Sequence, residues 1–232
     1  MTSTDDTSLP SEPSPELPSE LPSEPSPELS SDPSSDPSSD LVVGDDGHAR
    51  CSWGARDPLY VAYHDDEWGR PLRDERALFE LLCLEAFQSG LAWITILRKR
   101  PGFRVAFDDF DVGTVAAYGD DDIARLMADA AIVRNRAKVD AAIANARATL
   151  RLHESGRTLV DLVFAHAPPP DERPARRPRS FSEVPSTTPS SKALAAELRG
   201  SGFRFVGPVV AYALMQSAGV VDDHLEGCWV AP

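Results

Sequence analysis

No stretch of this 232-residue chain offers the roughly 20 consecutive apolar residues that a bilayer-spanning helix needs, so a helical membrane protein is excluded. Cysteine is scarce, with residues only at 51, 83 and 228. Cys83 lies inside an apolar helical pattern, and three such residues do not make a disulfide framework, which fits a reducing cytoplasm. The first residues lack both the basic start and the apolar run of a secretory signal, so none is expected. Residues 10–40 lack an apolar face altogether. They repeat Pro, Ser, Glu and Asp, bury nothing that offsets ordering entropy, and are expected to be disordered.

Charge is divided as unevenly as hydrophobicity. The chain carries a formal −14, and −11 of that sits in residues 1–50, with twelve acidic side chains and one arginine. The acidic balance therefore belongs to the leader, and an anionic partner such as nucleic acid stays open for the remainder. The expected division is a Pro/Ser/Asp/Glu-rich tail over residues 1–48 and one domain over 49–232. That length suits a single domain with a real core.

The domain reads as nearly all helix. Asp74 can cap a run containing Leu78, Phe79, Leu81, Leu82, Leu84 and Phe87. Further helical patterns cover 91–99, 112–117, 121–128, 136–153, 158–165 and 192–199, and another opens at Pro208. No alternation is long enough to predict a strand. Residues 167–190, rich in Pro, Arg and Ser, predict a long loop, and such loops are usually functional or mobile.

Two clusters carry metal-ligand chemistry. Cys51 and His64 stand at the start of the domain, His224 and Cys228 at its end. Two Cys and two His make a closed tetrahedral zinc set. The i, i+4 spacing of His224 and Cys228 would share one face if that segment were helical, and 51–64 would be a returning loop. Ordinary buried thiols with hydrogen-bonded histidines are the alternative. If one ion holds all four, it ties the two ends of the domain together.

The run LRGSGFRFVGPVVAYALMQSAG (198–219) predicts a helix, a tight glycine turn and a second helix. Gly202 and Gly207 allow close backbone approach, and the unpartnered amides after Gly207–Pro208 can bind a phosphate. Arg199 and Arg204 flank the turn. Arginine and lysine also cluster at 98–100, and arginines at 173, 176, 177 and 179. Each cluster can equally be a solvated face. A packed corner without a ligand is the alternative for the turn.

With these parts assembled, the chain resembles the 3-methyladenine DNA glycosylase I family over about residues 51–230. The resemblance lies in CSWGARDPLYVAYHDDEWG (51–69), LFELLCLEAFQSGLAWITILRKR (78–100), RNRAKVDAAIANA (134–146) and GFRFVGPVVAYALMQSAGVVDDHLEGC (202–228). It implies an all-helical fold of the helix–hairpin–helix glycosylase kind, with a structural zinc staple on Cys51, His64, His224 and Cys228. It implies a base pocket in which Glu85 hydrogen-bonds the excised base. Tyr63 and Trp93 line that pocket, and Trp53 and Tyr60 form further wall. Gly202, Arg204 and Gly207 would contact the DNA backbone.

The implied activity is excision of 3-methyladenine from alkylated double-stranded DNA by a cytoplasmic monomer. The turn holds no lysine for a Schiff base, so a monofunctional enzyme is expected. Asp222 and Asp223 follow the second helix, with capping the expected role of Asp222. A module that grips damaged DNA without cutting it is the rival. A zinc hydrolase is disfavoured, since four protein ligands leave no position for water.

Overall fold

The computed structural model describes residues 40–230. The disorder expected for the leader falls almost wholly outside these residues. Among them the chain is mostly helical, as the periodicity predicts. A short ribbon comes first: β1 (Leu41–Val43) pairs antiparallel with β2 (Ala49–Cys51), Leu41 opposite Cys51. Three residues per strand leave no alternation to read, so the sequence gives no sign of it. The ribbon also places residues 41–48, assigned above to the tail, in register with the first metal-ligand candidate.

A 3₁₀ turn (Ser52–Gly54) leads into α1 (Pro58–Asp66). Residues 51–64 are thus mainly helix, not a returning loop. Asp57 caps α1 by accepting from the Leu59 amide at 2.9 Å, and Pro58 occupies the first turn, where its missing N–H costs nothing. α2 (Glu75–Gln88) is capped by Asp74, whose carboxylate accepts from Ala77 N. Every residue from Leu78 to Phe87 in α2 is buried. A helix apolar on all sides belongs at the centre of a core, and α2 packs against neighbours throughout its length.

α3 (Trp93–Ala106) runs on through Pro101, past the end predicted at Lys99. An interior proline costs about 3 kcal/mol. Burying Phe103 and Phe107 returns about 1.5–3 kcal/mol each; both are fully enclosed, with the Phe87 and Phe103 rings 4.7 Å apart. Core packing wins over local propensity here.

α4 (Val112–Ala117), α5 (Asp120–Ala128), α6 (Arg136–Glu154) and α7 (Leu159–Phe164) follow close to their predicted ranges. α8 (Pro189–Gly200) and α9 (Pro208–Ser217) pack on each other, and α9 also packs on α2.

Within the predicted 167–190 loop, residues 167–188 have no regular structure beyond a 3₁₀ turn at Phe181–Glu183, and the last two residues open α8. The loop is nevertheless tied down. Arg177 donates to Asp222 at 2.8 Å and to the Val230 carbonyl at 2.7 Å, and the Phe181 amide donates to Asp40 at 2.9 Å. The predicted long loop therefore lies across both ends of the domain.

Candidate functional site

The total burial of α2 forces two glutamates inside, and they meet opposite fates. Glu80 accepts from Arg100 at 2.6 Å and from Arg104 at 3.0 Å, so its charge is paired. Glu85 has no cation. Among the described residues the Ser217 hydroxyl at the end of α9 donates to it at 2.7 Å. Burial pushes the Glu85 carboxyl up to about 7, against the smaller opposing pull of Ser217. Glu85 is therefore no surface charge on its helix.

Two aromatic side chains complete the environment. Burial and the nearby Glu85 charge both push the Tyr63 phenol above its ordinary value. The Tyr63 and Trp93 rings lie 5.4 Å apart at 49°. Among the described residues the Trp93 indole N–H is buried without a partner, and the buried Tyr63 hydroxyl, near Ser217, makes no hydrogen bond of normal geometry. Each such group costs about 1–3 kcal/mol when left unsatisfied. Two of them beside an unpaired carboxyl describe a site built for a ligand carrying its own polar edge.

Trp53 and Tyr60 hold the outer side. The Trp53 ring contacts Tyr60 at 5.7 Å, Tyr63 at 6.4 Å and Trp68 at 5.0 Å. The Tyr60 hydroxyl is committed, accepting from the Ile94 amide at 2.9 Å. It fixes the first turn of α3, and hence Trp93, by bonding an amide that α3 itself cannot satisfy.

Behind Trp53 lie the metal-ligand candidates. The donor atoms of Cys51, His64 and Cys228 lie within 4.8 Å of one another, all buried. His64 Nδ1 donates to Asp65 at 2.7 Å, which leaves Nε2 as the lone-pair nitrogen, 3.5 Å from Cys228 Sγ. His224 is set up in the same way. Its Nδ1 donates to Asp222 at 2.8 Å, and its Nε2 is buried without a partner. Carboxylates that fix the tautomer in this way are the usual outer support of metal-ligating histidines.

The His64 and His224 rings stand 5.1 Å apart. At Gly69 a Cβ would come within 2.6 Å of the His224 ring, so no larger residue fits there. A hydrogen bond from Cys51 holds the Cys228 thiol well below its ordinary value, toward the thiolate that metals bind.

The route to this cluster differs from the predicted one. His224 and Cys228 are not on a helix; a turn closed by Cys228 N to the Leu225 carbonyl at 2.9 Å brings them round. Asp65 is the residue that sequence reasoning missed. It accepts from Arg50 at 2.7 Å, from His64, and from the Trp229 indole at 3.1 Å, joining both ends of the domain. Its place directly after His64 was the available signal. Asp222 orients His224 and pairs with Arg177, and it caps no helix, contrary to the capping role expected of it. Asp223 accepts from Tyr212 and Gln216.

The turn between α8 and α9 keeps its predicted shape. Gly202 has φ +93°, a left-handed conformation suited to glycine. Gly207 precedes Pro208 at the start of α9, whose early amides have no helical partner. Arg204 is exposed, and it lines a cleft with Gly202, Arg147 and Arg151. The other basic clusters are mostly consumed internally. Arg98 pairs with Asp57, Arg100 with Glu67 and Glu80, Arg176 with Glu183, and Arg179 with Glu226.

Comparison with known proteins bears on this site. A family model described as methyladenine glycosylase matches residues 53–231. The chain is 45% identical over 186 residues to the DNA-3-methyladenine glycosylase 1 of Escherichia coli K12, covering 79% of this chain and 97% of that one. It is similar to a crystal structure of 3-methyladenine DNA glycosylase I, with a TM-score of 0.74 at 44% identity, covering 79% and 100%. A Tyr-to-Phe variant of such an enzyme, solved in complex with 3-methyladenine, matches with a TM-score of 0.73 at 33% identity, covering 79% and 97%.

Proposed function

This chain belongs to the methyladenine glycosylase family and is a DNA-3-methyladenine glycosylase, and on that premise we propose that it flips the damaged nucleotide into the Glu85–Tyr63–Trp93 site and hydrolyses its glycosidic bond. The observation that carries this reading is the lone buried Glu85 beside two unsatisfied aromatic donors. 3-Methyladenine in DNA is a cation whose bond to the sugar is already weak, because the base leaves neutral. The site must mainly extrude and hold it. When the C1′–N9 bond breaks, its electron pair neutralises the departing base. Water adds to C1′ and loses its proton to solvent.

Aromatic faces on Tyr63 and Trp93 favour a cationic base over a neutral one, by about 0.5–2 kcal/mol each when dry. Ionised Glu85 accepts from the exocyclic amine and stabilises the positive charge. Its raised pKa is the cost of waiting without a cation, and an arriving cation reverses that cost.

The same reading assigns a structural zinc ion to Cys51, His64, His224 and Cys228. The orphaned His224 Nε2 and the two carboxylate-fixed tautomers fit such an ion. When bound, it supplies a cross-link and no chemistry, since four protein donors close its coordination.

The α8–turn–α9 unit serves as a helix–hairpin–helix grip on the DNA backbone, through the amides after Gly207 and the Gly202–Arg204 turn. If it grips phosphates, duplex affinity should fall about tenfold or more between about 50 and 200 mM salt; a flat response in a titration would remove the grip. The chain has three lysines, at 99, 138 and 192, and none lies in this turn. The enzyme therefore leaves an abasic site uncut, and it works as a cytoplasmic monomer.

Chromatography of bases released from methylated duplex DNA tests the reading. Free 3-methyladenine should appear while the strands stay intact until alkali treatment. Binding without release would make the protein a damage sensor instead.

A further inference from the structure

α6 carries three buried polar side chains that nothing above employs; Thr149 bonds its own helix at the Asn145 carbonyl, and the other two reach other segments. Lys138 is 7% exposed, and its ammonium donates to the Phe87 carbonyl at 2.8 Å and the Ser89 carbonyl at 2.7 Å. Asn145 is fully buried and bonds Arg204 twice: its amide donates to the Arg204 carbonyl at 3.2 Å, and its oxygen accepts from the Arg204 amide at 2.7 Å. Both partners are functional segments by the reading above. Phe87 and Ser89 lie just beyond Glu85 and begin the short connection to Trp93. Arg204 lies in the turn proposed to hold the DNA backbone.

Burying an ammonium is expensive unless it is well paired. Carbonyls at a helix C-terminus are commonly satisfied by a local glycine turn, and Gly90 stands there in a left-handed conformation, but that turn bonds the Gln88 carbonyl, from Leu91 N at 2.6 Å, while the Phe87 and Ser89 carbonyls take Lys138. A lysine about 50 positions away does something a local cap does not: it fastens that end to another helix. Asn145 fastens the turn in the same manner, matching both an N–H and a C=O of one residue.

The two anchors are seven residues apart. On an α-helix that places them on nearly the same face, about 10 Å apart along the axis. The helix between them is capped by Asn135 and regular over nineteen residues. Backbone grip and base site thus hang from one rigid bar.

We propose that Lys138 and Asn145 are positioning residues that, through α6, fix the spacing between the DNA-gripping turn and the base site, so that a nucleotide held by one reaches the other. This rests on the functional reading above. Lys138 acts on the segment joining Glu85 to Trp93, and Asn145 acts on Arg204.

Two affinities separate these roles: that for free 3-methyladenine, read by tryptophan fluorescence, and that for undamaged duplex. Lys138→Met should weaken free-base binding about tenfold and leave duplex affinity unchanged, as a displaced contact of under an ångström can do. Asn145→Ala should do the reverse. Each should lower excision from DNA by more than its effect on its own affinity. If either variant does not fold, Lys138→Arg and Asn145→Asp, which shift or remove single donors, should show the same split.

Loss of both affinities together, in step with melting temperature, would reduce the pair to general stabilisers and overturn the proposal. Wild-type values for both would overturn it as well. Glu85→Gln and Trp93→Ala serve as controls. If these leave free-base binding untouched, the base site itself is misassigned, a failure distinct from that of the spacing.

Discussion

Glu85→Gln should cut excision of 3-methyladenine by about 100-fold at pH 8, equivalent to about 2.7 kcal/mol, while making the protein more stable. The opposed signs follow from one fact: the carboxyl is buried without a cation and its pKa is raised to about 7 by burial. Glutamine keeps the shape and an acceptor oxygen but loses the charge, and hydrogen bonds to charged groups are worth about 1.5–3 kcal/mol.

The stability side has a defined window. In the unfolded chain Glu85 ionises near the ordinary glutamate value of 4.5, and burial in the folded protein pushes it up to about 7. The folded state therefore binds more protons between these values. Stability is fully present below about 4.5 and declines as pH rises through 7. The shift amounts to on the order of 3 kcal/mol. The variant should gain on wild type across that window and hold its advantage above it.

Activity should run the other way. kcat/KM of wild type should rise with pH through about 7, as the carboxylate that stabilises the cationic base forms, and the variant should be flat. Melting curves and rate profiles on the same samples check both. A variant less stable than wild type at pH 8, with unchanged excision, would show that Glu85 is a structural residue.

Cys228→Ser should abolish stoichiometric zinc and lower the melting temperature by roughly 10 °C, which for a domain of this size corresponds to about 3 kcal/mol. The cluster explains why the effect is large. Cys51 lies on β2, His64 on α1, and His224 and Cys228 on the closing turn, so one ion would cross-link three segments of the chain. Other contacts between these segments include Trp229 N to the Ala49 carbonyl at 2.8 Å and the Asp65 network.

Excision measured well below the melting temperature should survive, because the His64 and His224 rings pack on Trp53 and Trp68, while Glu85 and Trp93 are held by α2 and α3. Metal analysis with calorimetry decides the matter. A normal melting temperature in protein shown to lack zinc would contradict the staple.

What the sequence made legible follows from how local each signal is. Asp74 caps α2 as predicted, and Asp111 and Asn135, not singled out in the sequence, cap the helices predicted to start at 112 and 136, each acting within three residues. α1 went unread because PLYVAYHDD has no apolar stripe: Tyr63, His64 and Asp65 are its buried residues, and two of them are polar. Its helix is stabilised by the aromatic cluster and the metal-ligand network, not by amphipathicity.

Cys51, His64, His224 and Cys228 were legible as a donor set by residue type. The turn that gathers the last two was not, since their spacing suits a helix equally well. Ser217, Lys138 and Asn145 were invisible as site residues. A polar side chain on an amphipathic helix ordinarily faces water, and only the tertiary partners, 132, 51 and 59 positions away, show otherwise.

A crystal of the protein soaked with 3-methyladenine is the most direct test. The base should lie against the Tyr63 and Trp93 rings, with its exocyclic amine donating to Glu85 and its ring edge meeting the two orphaned donors. A base bound elsewhere, or a site filled by the protein's own side chains at saturating ligand, would contradict the assignment.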